Sequence, residues 1–129
     1  MMRALLDTNC FLWFITDCEK LSSSARSFIT DLDNTLSLSA ASLWEIAVKV
    51  TIGKLELLRP FDQLIPEQLT VNAIDILPIE TSHLSRMISL PFHHRDPFDR
   101  LIIAQALTED ISLISSDTAF HKYDVKLIW

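Results

Sequence analysis

Asp7, Glu45, Asp99 and Asp117 all stand where the sequence expects a helix to begin, and two of them sit among apolar neighbours. In His93-His94-Arg95-Asp96-Pro97-Phe98-Asp99-Arg100-Leu101-Ile102-Ile103-Ala104-Gln105-Ala106, Asp96 reads as an N-cap and Pro97 as the first helical residue. Asp99 then shares a helix face with Ile102, Ile103 and Ala106. Glu45 is embedded between Trp44 and Ile46-Ala47-Val48. A carboxylate in such company is costly unless it is paired, hydrogen-bonded or bound to a cation. Each acid also has a structural explanation: first-turn acids complement the helix dipole, Asp7 suits an N-cap, and Ser42 with Glu45 has capping-box spacing. The chemistry the set would support is binding of a divalent cation by oxygen ligands.

The elements that would position these groups alternate along the chain. Arg3 to Leu6 reads as a strand ending in Asp7-Thr8-Asn9, and Cys10 to Ile15 as a segment apolar on all sides that packs inside. Ser22 to Asp31 is an amphipathic helix with Ala25, Phe28, Ile29 and Leu32 on its apolar stripe. Thr35 to Ser39 alternates as a strand does, and a helix opened by Ser42 runs to about Val50 and stops at Gly53. Pro60 to Leu69 is a helix expected to break near Pro66, and Ala73 to Leu77 is a third strand. Thr81 caps a helix that ends at Pro91, with His83 facing solvent. Beyond the Asp96 helix come a strand over Ile111 to Ser115, a helical turn capped by Asp117, and an edge strand over Val125 to Ile128. Strand and helix alternating from end to end predict an α/β sandwich on a mainly parallel sheet.

Composition narrows the function. The 129 residues, 49% hydrophobic, have no linker-like stretch and fit one domain, 1–129, with a sizeable core. No apolar run approaches the ~20 residues of a membrane span, and Asp7 interrupts any signal-peptide core, which predicts a soluble cytoplasmic protein. Cys10 and Cys18 match no zinc or disulfide spacing. A single glycine, Gly53, excludes phosphate-cradling loops of the P-loop and dinucleotide types. The net charge of −6 argues against a broad basic surface, yet leaves room for a nucleic-acid enzyme whose acids converge on a cation.

Convergence follows from topology. In a parallel sheet every strand-to-helix turn lies on one rim, and Asp7, Glu45 and Asp117 each follow a strand by a few residues. Asp99 joins them if the link before its helix returns to that rim. Hard oxygen ligands favour Mg²⁺ or Mn²⁺, and with no serine or cysteine nucleophile in view such a site suits metal-assisted phosphodiester hydrolysis by water. Adjacent His93 and His94 rarely point at one ion, so contact with a substrate phosphate or base is equally compatible. Asp75 and Glu80 also lie near a strand end, so spacing alone does not select the ligands.

Taken together, Leu6-Asp7-Thr8-Asn9, the segment Ser42 through Lys49 with Gly53-Lys54-Leu55, His94 through Ala106, and Leu113-Ile114-Ser115-Ser116-Asp117 resemble PIN-domain ribonucleases of the VapC toxin type over nearly the whole chain. The resemblance implies a three-layer sandwich with about five strands and Mg²⁺- or Mn²⁺-dependent RNA cleavage. It also implies a cognate antitoxin and a homodimer. By position, Asp7, Glu45, Asp99 and Asp117 match the acidic quartet, as catalytic groups and metal ligands, with Asp96 a further acid of this subgroup. Asn9 stands where many relatives have histidine, and Ser115-Ser116 where a threonine often precedes the last acid; Asp96, Asn9 and Ser115 are assigned outer-shell or capping roles. Arg95, Arg100, Lys49 and Lys54 are candidates for RNA phosphate contact. The alternative is a catalytically silent PIN-like module that binds RNA or protein, against which retention of all four acids speaks. A phosphatase with Asp7 as nucleophile is weaker, because Asn9 stands where a second aspartate would be needed.

Overall fold

The structure is a computed structural model and describes residues 2–129. The elements are β1 (Arg3–Leu6), α1 (Thr8–Ile15), α2 (Ser23–Thr30), β2 (Thr35–Ser39), α3 (Ala40–Thr51), α4 (Phe61–Val71), β3 (Ile74–Leu77), α5 (Thr81–Ser89), α6 (Pro97–Glu109), β4 (Ser112–Ile114), a 3₁₀ turn (Thr118–Lys122) and β5 (Leu127–Ile128). The strands form one sheet in the order β3-β2-β1-β4-β5, every pair parallel. This is the predicted parallel α/β sandwich. No helix among the described residues is long and apolar enough to cross a membrane.

Strand alternation divides the core. Side chains at consecutive strand positions point to opposite faces, so Ala4, Leu6 and Ile114 pack with Phe11, Ile46 and Ile65 on one side. Leu5 and Leu113 pack with Ile102, Ile103 and Ala106 on the other. Helix α6 owes its nearly all-apolar sequence to this burial: Leu101 to Ala106 are all buried.

Several local expectations are corrected. Helix α3 begins at Ala40, where the Ser39 hydroxyl accepts the Ala41 N–H at 3.0 Å. Ser42 is therefore inside the helix, and the Ser42–Glu45 capping box does not form. Leu32 lies past the end of α2 and is 98% exposed, off the apolar stripe. Helix α4 runs through Pro66 unbroken, because the carbonyl deprived of its partner belongs to solvent-exposed Asp62. Glu80, one residue before Thr81, caps α5 in a reciprocal capping box with His83. His83 is buried, not solvent-facing: its Nδ1 lies 3.0 Å from the Glu80 N–H and its Nε2 3.1 Å from Glu109. β3 starts at Ile74 because Ala73 is left-handed at φ 52°. Gly53, at φ 75° just past the C-cap of α3, takes the conformation glycine adopts without a Cβ penalty.

Candidate metal centre

The C-terminal rim of β1, β2 and β4 collects the acids. Asp7 is buried directly after β1, and its Oδ1 accepts the Cys10 N–H at 2.7 Å as the N-cap of α1. Burial pushes its carboxyl above the usual range and the nearby Asp117 adds to this, while hydrogen bonds from Ser115 and Cys10 oppose it. Asp117 follows β4 and caps the 3₁₀ turn, with its Oδ1 on the Ala119 N–H at 2.9 Å. Its own N–H donates to Ser115 Oγ at 3.1 Å, so Ser115 touches both flanking acids.

Glu45 comes from the second turn of α3 and is only 4% exposed. Thr8 Oγ1 donates to its Oε1 at 2.6 Å and lies 2.9 Å from Ser42 Oγ. Lys49, one helical turn on, reaches the other oxygen at 2.8 Å. That contact, with Asp96 and Asp99 close by, holds the Lys49 ammonium proton more tightly than usual.

Helices α5 and α6 pack as an antiparallel pair, which returns the chain to the rim and brings Asp99 to the same place. Asp96 is the N-cap of α6 and accepts the Phe98 N–H at 2.8 Å. The Asp99 carboxyl is pushed up to about 7, first by burial and then by the charges of Asp96 and Glu45, with His94 opposing and Asp7 adding to the rise. Asp7, Glu45, Asp99 and Asp117 thus lie within one electrostatic neighbourhood.

His94 stands at its centre. Its Nε2 is 3.2 Å from Asp99 Oδ2 and 3.2 Å from Asp117 Oδ2, and its Nδ1 accepts the Asp96 N–H at 3.1 Å. The backbone N–H groups of His93 and His94 both donate to the Tyr123 hydroxyl, at 3.1 and 2.9 Å. The two imidazoles diverge: His93 stays exposed, edge-on to Tyr123, while His94 turns inward. The reading that set the pair aside from the ligands is revised for His94. Its ring nitrogen and one oxygen each from Asp99 and Asp117 all lie within 4.8 Å of one another, close enough to share one ion.

Other candidates fall elsewhere. Asn9 is exposed and lines an apolar groove with Leu12, Trp13 and Leu57. Arg100 is buried, with its guanidinium donating to the carbonyls of Pro91 and Met87 and lying over the Phe92 ring. It ties down the end of α5 and is withdrawn as an RNA contact. Arg95 is exposed beside the centre, and Lys49 is half-buried within it. Cys10 is buried and the apolar setting pushes its thiol further up, consistent with an inert cysteine. Thr8 and Tyr123 were not singled out from sequence; Thr8 lay in the first motif but offered no sign that its hydroxyl would reach Glu45 across 37 residues.

The donor set fits a hard divalent cation. It offers carboxylate oxygens and an imidazole nitrogen with no thiolate, and the repulsion that raises Asp99 is what a bound cation would relieve.

Comparison with known proteins bears on the family and the fold. The family model described as PIN domain matches residues 4–126. Ribonuclease VapC16 of Mycobacterium tuberculosis is 31% identical over 61 residues, 47% of this chain, and the match spans 43% of that protein's length. Among solved structures, VapBC2 from Rickettsia felis, bound to a promoter DNA fragment, superposes with TM-score 0.71 at 19% identity, covering 98% of this chain and 97% of that one. FitAcB from Neisseria gonorrhoeae gives 0.67 at 19%, covering 96% and 95%. VapBC-5 from M. tuberculosis gives 0.64 at 19%, covering 99% and 98%. At these identities the structural likeness is one of fold, and it extends over the whole chain. The family match covers nearly all of the chain and includes all four rim acids, and on that ground the chain belongs to the PIN domain family.

Proposed function

We propose that this chain is a Mg²⁺- or Mn²⁺-dependent endoribonuclease, the toxin of a toxin–antitoxin pair, cutting RNA phosphodiester bonds in the cytoplasm as a homodimer that a cognate antitoxin protein restrains. The observation that carries the reading is the gathering of Asp7, Glu45, Asp99 and Asp117 on one rim, where burial first and then the neighbouring carboxylates push the Asp99 carboxyl up. The similarity to a ribonuclease supports the activity, and the similarity to VapBC complexes supports the antitoxin partner.

Asp7, Glu45, Asp99 and Asp117 would hold the cation, with His94 beside Asp99 and Asp117. When bound, a divalent cation lowers the pKa of water and neutralises charge on phosphoryl oxygens. The chain's own groups supply the rest. Thr8 and Lys49 fix the Glu45 carboxylate from both oxygens, so it meets the substrate already oriented. Ser115 holds Asp7 and the Asp117 backbone in one arrangement. His94 Nε2, 3.2 Å from both Asp99 and Asp117, turns the two carboxylates toward one point. Lys49 and exposed Arg95 border the centre and are suited to phosphate contact.

The test is cleavage of structured RNAs by purified protein with Mg²⁺ or Mn²⁺, beside a chelator control and the Asp7→Asn variant. The expected result is metal-dependent cutting that falls by at least about 100-fold in the variant. Cutting that persists in chelator, or is unchanged by Asp7→Asn, would sink the nuclease reading. RNA bound but never cut would instead favour the silent binding module.

A further inference from the structure

Helices α3 and α6 pack against each other running in opposite directions, with Ser39 meeting Gln105 at one end and Trp44 meeting Phe98 further along. At one end the buried Ser39 hydroxyl donates to Gln105 Oε1. Six residues along α3 from Ser39 is Glu45, and six residues back along α6 from Gln105 is Asp99. Beside that pair, Trp44 and Phe98 meet edge to face with ring centroids 4.9 Å apart. One turn further, Lys49 lies among the charges of Asp96 and Asp99.

We propose that Gln105 is a positioning residue: by holding Ser39 it pins α3 against α6 in the one register that sets Glu45 level with Asp99. Ser39 is the N-cap of α3, so a bond to its hydroxyl locates the helix start itself. Gln105 is equally fixed. Its Nε2 donates to the Pro78 carbonyl at 3.2 Å and lies 3.4 Å from His83 Nδ1, and both Gln105 and His83 are almost completely buried. The amide thereby spans three elements, with its oxygen on α3 and its nitrogen on the link to α5. A leucine or methionine would fill the same space without specifying the axial offset of the helices. A slip of one residue moves a helix by about 1.5 Å along its axis, enough to spoil oxygen ligands that must converge on a small cation.

The inference rests on the metal-centre reading, and Mn²⁺ affinity separates the two. Mn²⁺ binding is measured by electron paramagnetic resonance and calorimetry on wild type, Gln105→Met, Ser39→Ala and the double variant, with folding checked by circular dichroism. Folded Gln105→Met and Ser39→Ala are each expected to bind Mn²⁺ about tenfold more weakly or worse. The double variant is expected to be no weaker than the weaker single, since both remove one shared bond. Gln105→Glu, which keeps an acceptor for Ser39, is expected to recover most of the affinity. Wild-type affinity in folded Gln105→Met overturns the pin. If that variant does not fold, Ser39→Ala, which leaves the Gln105–Pro78 bond in place, decides by the same criterion. Wild type that fails to bind Mn²⁺ overturns the metal-centre reading and this inference with it, whereas normal wild-type binding with unaffected variants overturns this inference alone.

Discussion

Asp99 concentrates the electrostatics of the rim in one side chain. An aspartate ordinarily titrates at 3.8, and here burial, Asp96 and Glu45 move it to about 7. The folded state therefore binds the proton more tightly than the unfolded state between those values. The resulting penalty on the fold is absent below pH 3.8, grows as pH rises through that window and is constant above about 7. Its full size is on the order of 4 kcal/mol, and relaxation with residual solvent access reduces it to about 2. Asp99→Asn is accordingly expected to stabilise the cation-free protein by about 2 kcal/mol at pH 8 and by little at pH 4.5. Urea denaturation of both proteins at the two pH values measures this. Saturating Mn²⁺ is expected to reverse the order at pH 8, because only the wild type keeps the full ligand set. An Asp99→Asn variant less stable than wild type at pH 8 without metal would show that the repulsion is not there.

At the scale of elements, the helix starts did two jobs, and the sequence separated them only in part. The Asp96-Pro97 signature announced the start of α6, and the structure places the cap there. In α3 the same kind of signal misled, because Ser39 and Ser42 can both cap, and strand β2 runs directly into the helix at Ala40. The rim itself was legible, since parallel topology sends Asp7, Glu45 and Asp117 to one edge. The burial of His83 and Arg100 was not, since both depend on the packing of α5 against α6, and neither was the inward turn of His94, which depends on Tyr123 and Asp117 from a later part of the chain; no local period encodes either contact. The two jobs of an acidic helix start can be divided by substitution at Asp96. Asp96→Ala removes the acceptor for the Phe98 N–H and is expected to cost about 1 kcal/mol. Asp96→Asn keeps an acceptor oxygen and is expected to change stability by only a few tenths of a kcal/mol at neutral pH. It also removes one of the charges that raise Asp99, so Asp99 should titrate closer to its ordinary value, as followed by carboxyl carbon NMR. An unmoved Asp99 in Asp96→Asn would assign the rise to burial, Glu45 and Asp7.

The whole molecule carries a net charge of −6 with 11 lysines and arginines, and several of these are already engaged. Arg26 is paired with Asp17, Arg59 with Glu67 and Lys126 with Asp110, while Arg100 is spent on backbone carbonyls. Of the rest, Lys49, held by Glu45, and exposed Arg95, one residue before Asp96, are placed at the metal centre, while Arg3, Lys20, Lys54, Arg86 and Lys122 are exposed. A nuclease so built would grip substrate mainly through the cation and a couple of side chains, not through a basic groove. Each phosphate contact on a single strand contributes a slope of about −0.7 to log affinity against log salt, so two contacts give about −1.4. With Mg²⁺ saturating, kcat/KM on a single-stranded RNA is therefore expected to fall with KCl at a slope between about −1 and −2. Lys49→Met and Arg95→Met should each flatten it by about 0.7. A slope of about −4 or steeper would mean that several further phosphates are neutralised by basic side chains beyond Lys49 and Arg95. If those side chains come from a second copy lying across the rim, dilution of the enzyme at fixed salt will show a loss of activity per molecule, whereas unchanged activity on dilution will assign the slope to exposed lysines and arginines of the same chain.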